Sequence, residues 1–100
     1  MTEEQRQHLE SMAFRRLLEH LRHRTDVQNI DLMGHGGFCR NCLADWLMEA
    51  AAETGASLDK AGAREWVYGM SYDDYRAQFQ TPASQEQLDR MAASVVQNRK

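Results

Sequence analysis

Residues 34–47 read GHGGFCRNCLADWL and hold both cysteines of the chain, one of its four histidines and three of its six glycines. Projected at about 100° per residue, Cys39, Cys42, Leu43, Trp46, Leu47 and Ala50 fall within one sector of roughly 140°, with both thiols inside it. Arg40, Asn41 and Glu49 fall on the other side. This is the pattern of a half-buried helix, expected from about Phe38 to Thr54 with Gly55 as a left-handed cap. Gly34 is expected to end the preceding element, and Gly36 and Gly37 let the chain turn sharply before the cysteine helix begins.

Upstream, Thr25 and Asp26 can cap a short helix or 3₁₀ segment in which Val27, Ile30 and Met33 recur at spacing three. Before that, Glu3 to Arg24 contains no Gly or Pro. Phe14, Leu17, Leu18 and Leu21 follow one another at helical spacing, so one long helix is expected. Leu9 and Met12 lie more than about 90° from that stripe and form a second apolar patch. Two covers are open for it: a later helix of the same chain, or a partner subunit. His23 lies nearly opposite the stripe and His20 on its flank, so the two are not expected to be buried together. His8 is read as a surface residue.

Downstream, a helix is expected over Asp59 to Gly69, capped by Ser57 or Asp59, with Trp66, Val67 and Met70 inward. Ser71-Tyr72-Asp73-Asp74 resembles an N-terminal cap with acids in the first turn, and Tyr72, Tyr75 and Phe79 supply one aromatic face. Thr81-Pro82 breaks that short helix. Ser84 with Gln87 forms a capping box for a last helix whose Leu88, Met91, Ala92, Val95 and Val96 are expected to be buried. No stretch alternates as a strand does. The expected architecture is all-α: one domain over 1–100, with about five helices in an irregular array.

Net charge is −3, with 42% hydrophobic and 27% charged residues, the balance of a globular protein. A slightly acidic chain has no long-range attraction for nucleic acid or an anionic membrane, and neither is expected as a partner. The basic run FRRLLEHLRHR is interrupted by Glu19 and reads as a solvated helix face. No apolar run approaches the roughly 18 residues of a membrane span, and MTEEQRQ lacks the features of a secretory signal, so a cytosolic protein is expected. In a reducing compartment two cysteines are poorly explained as a structural disulfide.

Three readings of Cys39 and Cys42 follow. In the first they are core thiols, since free cysteine is among the most often buried residues. In the second, His35-x3-Cys39-x2-Cys42 binds Zn²⁺, whose tetrahedral site suits sulfur and imidazole; Asp45, Asp31, His20 or water would complete it. In the third, Cys39 sits in the first turn of a helix, where unpaired N–H groups and Arg40 stabilise a thiolate and Cys42 resolves a disulfide. The strand and proline context of such redox motifs is missing. No nucleophile elbow, phosphate loop or H-E-x-x-H is present. The expected function is that of a non-enzymatic interaction or binding protein with a protein partner or a second copy, and zinc as candidate cofactor. The alternative is a thiol-dependent redox protein or sensor using Cys39 and Cys42.

FRRLLEHLRHRTDVQNIDLM, GFCRNCLADW and AREWVYGMSYDDYRAQFQ together resemble the short proteobacterial proteins catalogued as domain of unknown function 1244. The resemblance covers roughly residues 12 to 80. It implies a small all-helical cytosolic protein and carries no activity. Just before GFCRNC the family pattern often has Asn-Leu-Ala where this chain has Gly34-His35-Gly36. The resemblance therefore reaches Cys39 and Cys42 but not His35.

Overall fold

The computed structural model describes residues 1–99. Thr2 opens α1 (Glu3–His23) with a reciprocal cap: Gln5 N–H donates to Thr2 Oγ1 at 3.1 Å, and Thr2 N–H donates to Gln5 Oε1 at 2.8 Å. Five further helices follow: α2 (Asn29–Gly36), α3 (Arg40–Thr54), α4 (Lys60–Tyr68), α5 (Tyr72–Phe79) and α6 (Gln85–Gln97). No strand occurs among the described residues. The class is all-α as expected, with six helices rather than about five.

The extra helix is the segment expected to stop at Gly34. Instead α2 runs through Gly34 and His35 and ends at Gly37, whose φ of 75° is the left-handed cap that glycine adopts without strain. Gly34 fits inside a helix because its missing side chain is used: a Cβ there would lie 3.1 Å from Arg90 Cγ on α6. Nor do Thr25 and Asp26 cap α2. Gln28 does, and its N–H donates to Asp31 Oδ2 at 3.3 Å.

The caps of the later helices match expectation. Asp59 accepts from Gly62 N–H, Ser71 from Asp74 N–H and Ser84 from Gln87 N–H. Gly55 and Gly69 end α3 and α4 in the left-handed region.

The apolar core draws on four helices: Leu18 and Leu21 of α1, Leu43 and Ala44 of α3, Ala63, Val67 and Tyr68 of α4, and Tyr75 of α5. Several expected core positions are not in it. Trp46 is 53% exposed and stacks on Phe38 at 6.3 Å, Trp66 is 48% exposed, and Ala50 is exposed. Arg40, assigned outward by the projection, is only 1% exposed. A helical wheel measures angle within one helix, and it cannot see that the first turn of α3 is inserted between the end of α1 and the start of α2.

The largest correction concerns α6. Leu88 and Val95 are each 41% exposed and Val96 is 56% exposed; Met91 is half-buried. The helix docks on α2 through its polar row. Ser94 Oγ donates to Met33 O, Asn98 Nδ2 to Gly37 O at 2.8 Å, and Gln87 Nε2 to Asp31 Oδ1 at 3.0 Å. Met33 O, which also accepts from Gly37 N–H, together with Gly37 O and the Asp31 carboxylate, offers acceptors along α2 that a row of donors can use and an apolar stripe cannot. Leu9 and Met12 are likewise 50% and 56% exposed, which removes the expectation that a later helix of the same chain crosses them.

Candidate functional site

Cys39 has an extended backbone (φ −141°, ψ −177°) and is the N-cap of α3, one position before the first turn in which it was expected. Its carbonyl accepts from the N–H groups of Cys42 at 3.0 Å and Leu43 at 3.3 Å. This turn brings the Cys39 and Cys42 sulfurs to 4.0 Å. Both are free thiols, Cys39 buried and Cys42 partly so. Burial pushes the Cys39 thiol up, and outweighs the N–H groups of Cys42 and Asn41 that favour a thiolate there. The helix N-terminus therefore does not activate this sulfur. Loss of water costs the anion more than the partial charges of the amides return.

The expected zinc set does not assemble. His35 is exposed on the last turn of α2, beside a shallow hollow lined by Val27, Leu32, Gly36 and Phe38. Asp31 is occupied by the N–H of Gln28 and the amide of Gln87, and Asp45 and His20 are exposed. Among the described residues no three His, Cys, Asp or Glu side chains converge. Of the six candidate ligands, the fold brings together Cys39 and Cys42.

Between the two cysteines the chain places its most deeply buried charge. Arg40 Nη1 donates to Val27 O at 2.9 Å and Asn29 Oδ1 at 3.0 Å, and Nη2 donates to Leu21 O at 3.2 Å and Arg24 O at 2.9 Å. Nε has no hydrogen-bond partner. The guanidinium carbon also sits 5.6 Å from the centre of the Tyr75 ring. Neither ion pair among the described residues, Arg24–Asp26 or Arg90–Glu86, involves Arg40. A buried cation needs compensation. Here it comes from the C-terminus of α1, whose last carbonyls carry the negative end of the helix dipole. Arg22 repeats the device on α4: its guanidinium donates to Trp66 O and Val67 O.

From Arg40 a ladder of neutral hydrogen bonds runs outward. Asn29 Nδ2 donates to the Tyr68 hydroxyl at 2.9 Å, and that hydroxyl donates to Asn41 Oδ1 at 2.8 Å. Asn41 Nδ2 reaches the Tyr72 hydroxyl at 3.4 Å. Tyr68 stacks obliquely on Tyr75 at 4.5 Å and on Tyr72 at 5.4 Å. The ladder ends at a cavity of about 250 Å³ lined by Gln28, Asn29, Asn41, Tyr72, Thr81 and Pro82, with no thiol, imidazole or carboxylate in its wall. Gln28 is also engaged, donating to Phe79 O at 2.8 Å and accepting from Thr81 N–H.

These groups bond chiefly to one another, so the arrangement joins α1, α2, α3 and α4 rather than presenting a nucleophile or base. Sequence reading missed Asn29, Arg40 and Tyr68 as a set. The available signal was the pair Arg40-Asn41 between two cysteines on the apolar side of a helix start, where charged and amide groups are unusual unless hydrogen-bonded.

A family model described as "Protein of unknown function (DUF1244)" matches residues 27–93. The matched stretch holds Asn29, Arg40, Asn41, Tyr68 and Tyr72 and excludes α1. No curated protein matches the chain. No helix of the described residues is long and apolar enough to cross a membrane.

Proposed function

The chain belongs to the DUF1244 family, a family of unknown function, and from that premise we propose that it is a non-enzymatic association protein. Its distinctive motif GFCRNC serves the fold, and its outer helices supply the working surface. One observation carries this reading: Leu9 and Met12 of α1, at 50% and 56% exposure, form an apolar patch that nothing among the described residues covers. A matched arrangement for acid–base or nucleophilic work is missing from the cysteine region, where the thiol is held protonated by burial.

The residues of the patch are expected to be idle in folding. In Leu9→Glu/Met12→Glu, stability extrapolated to low protein concentration should change by no more than about 0.5 kcal/mol, as for surface substitutions that touch nothing. Urea denaturation with circular dichroism checks this. A loss above about 1 kcal/mol would mean that the two side chains pack within the chain, and the association reading would fall.

A second reading, a thiol–disulfide couple of Cys39 and Cys42, is favoured by their 4.0 Å separation. Alkylation of Cys39 in the native protein is expected to be slower at neutral pH than that of an unburied cysteine and to rise only above about pH 8.5. Mass spectrometry of pulse-labelled protein reads it. Fast labelling of Cys39 at pH 7 would favour the redox couple over a core thiol. Zinc at this pair would need two further ligands from outside the pair.

A further inference from the structure

The start of α3 brings two sulfurs together and leaves every harder ligand elsewhere. Cys39, as the N-cap, and Cys42, one turn later, hold their sulfurs 4.0 Å apart as free thiols. With metal–sulfur bonds of ~2.3 Å, one ion bridges such a pair at an angle of roughly 120°. Among the described residues no third His, Cys, Asp or Glu side chain joins them. Cys39 is covered, whereas Cys42 is partly exposed, so an ion reaches the pair from solvent through Cys42.

Ligand number and ligand type then select the metal. Zn²⁺ in a structural site takes four ligands, and iron–sulfur clusters take four cysteines. Calcium and magnesium take oxygen. Cu(I) is a soft ion that thiolates select, and its filled d shell accepts a low coordination number.

Charge separates the metals further. Zn²⁺ on two thiolates is a neutral centre, whereas Cu(I) on the same two thiolates carries one net negative charge. Arg40 stands between the two cysteines in sequence and is 1% exposed. It has no carboxylate partner among the described residues, and its Nε has no hydrogen bond. A buried cation is stabilised by an anion in its neighbourhood. The Arg40 guanidinium and the Cys39 sulfur both lie close enough to the Tyr68 hydroxyl to act on its proton, in opposite senses. The N–H groups of Asn41 and Cys42 also favour negative charge on the Cys39 sulfur, as outer partners of metal ligands do.

We propose that Cys39 and Cys42 form a binding site for one Cu(I) ion, held by their two thiolates with Arg40 as the buried counter-charge. On binding, two copper–sulfur bonds form, the two thiol protons leave to solvent, and the metal keeps its oxidation state. The site is independent of the association surface, since neither Leu9 nor Met12 contributes to it.

Anaerobic titration of the reduced full chain with Cu(I), in competition with the chromophoric chelator bicinchoninate, tests the proposal. One Cu(I) per chain is expected, retained through dialysis against millimolar reduced glutathione. X-ray absorption at the copper edge should show the metal surrounded by sulfur alone. Cys39→Ser places a preferred residue at the N-cap, and Cys42→Ser alters a partly exposed position; far-UV circular dichroism checks that both fold. Each should lose more than the roughly 10–100-fold in affinity that removal of an outer partner costs. Loss of the copper to glutathione overturns the proposal, as does nitrogen or oxygen bound to the metal, or full retention by either folded serine variant. Displacement of Cu(I) by an equal amount of Zn²⁺ overturns it too, and makes the pair part of a zinc site. If a serine variant does not fold, the copper-edge spectrum of the wild-type chain decides.

Discussion

Arg40→Ala is expected to cost roughly 3–5 kcal/mol of folding stability, the range seen when one partner of a buried charged arrangement is removed. The loss has two parts. The carbonyls of Leu21 and Val27 lose the guanidinium donor, while Arg24 O keeps the N–H of Val27 and Asn29 Oδ1 keeps the backbone N–H of residue 40, and each buried unpaired acceptor costs about 1–3 kcal/mol unless water reaches it. The substitution also empties the volume of one of the two largest fully buried side chains. In a domain of this size the midpoint of thermal unfolding should fall by on the order of 15 °C or more.

Arg40→Lys separates charge from geometry. It keeps the cation, but its single nitrogen cannot reproduce a planar fork whose two terminal nitrogens reach carbonyls of α1, the following loop and Asn29. It is expected to recover only a minority of the loss. Thermal and urea unfolding of the three proteins read both effects. A cost under about 1 kcal/mol for the alanine variant would refute the role assigned to Arg40 in joining α1, α2 and α3.

Tyr68→Phe removes one oxygen and leaves the ring stack with Tyr75 and Tyr72 in place. The Asn29 amide then has no acceptor and the Asn41 carbonyl no donor, which should cost about 1–3 kcal/mol. The same variant carries a signature in pH. Burial raises the Tyr68 phenol well above its ordinary value, which is about 10. Burial likewise raises Cys39 and Tyr75.

In each case the folded protein holds a proton that the unfolded chain releases. Their contribution to stability is full below the unfolded values and is lost as pH rises through them toward the folded ones. Wild-type stability should therefore decline from about pH 8.5, where an unburied thiol ionises, and more steeply above about pH 10. Tyr68→Phe should show a shallower fall above pH 10, because it no longer has that phenol to protect. Equal slopes in the two proteins would exclude Tyr68 as a source of the alkaline limb.

Several features of the fold were legible in the residues themselves. Asp59, Ser71 and Ser84 cap the helices they were expected to cap, and Gly55 and Gly69 end α3 and α4. Phe14, Leu17, Leu18 and Leu21 do pack at the core, and Tyr72, Tyr75 and Phe79 form one aromatic face against it. These are local outcomes, decided within one turn by backbone hydrogen bonds and side-chain periodicity. Cys39 and Cys42 were legible as neighbours for the same reason, since three residues make about one turn.

The rest depended on which surfaces meet. Arg40 was read as a solvated residue because an isolated helix offers a charge nothing but water. Only when the ends of α1 and α2 close around the start of α3 do four acceptors replace that water. Leu88, Val95 and Val96 were read as core because apolar periodicity states that a stripe will seek cover, without stating whose. Tertiary packing spent the polar row of α6 on α2 and left the stripe outside. GHGGFCRNCLADWL thus specified an all-α chain with paired thiols at a helix start, because those features follow from spacing. That a buried arginine between those thiols joins the helices was decided by packing, because desolvation and hydrogen-bond partners exist only once distant segments come together.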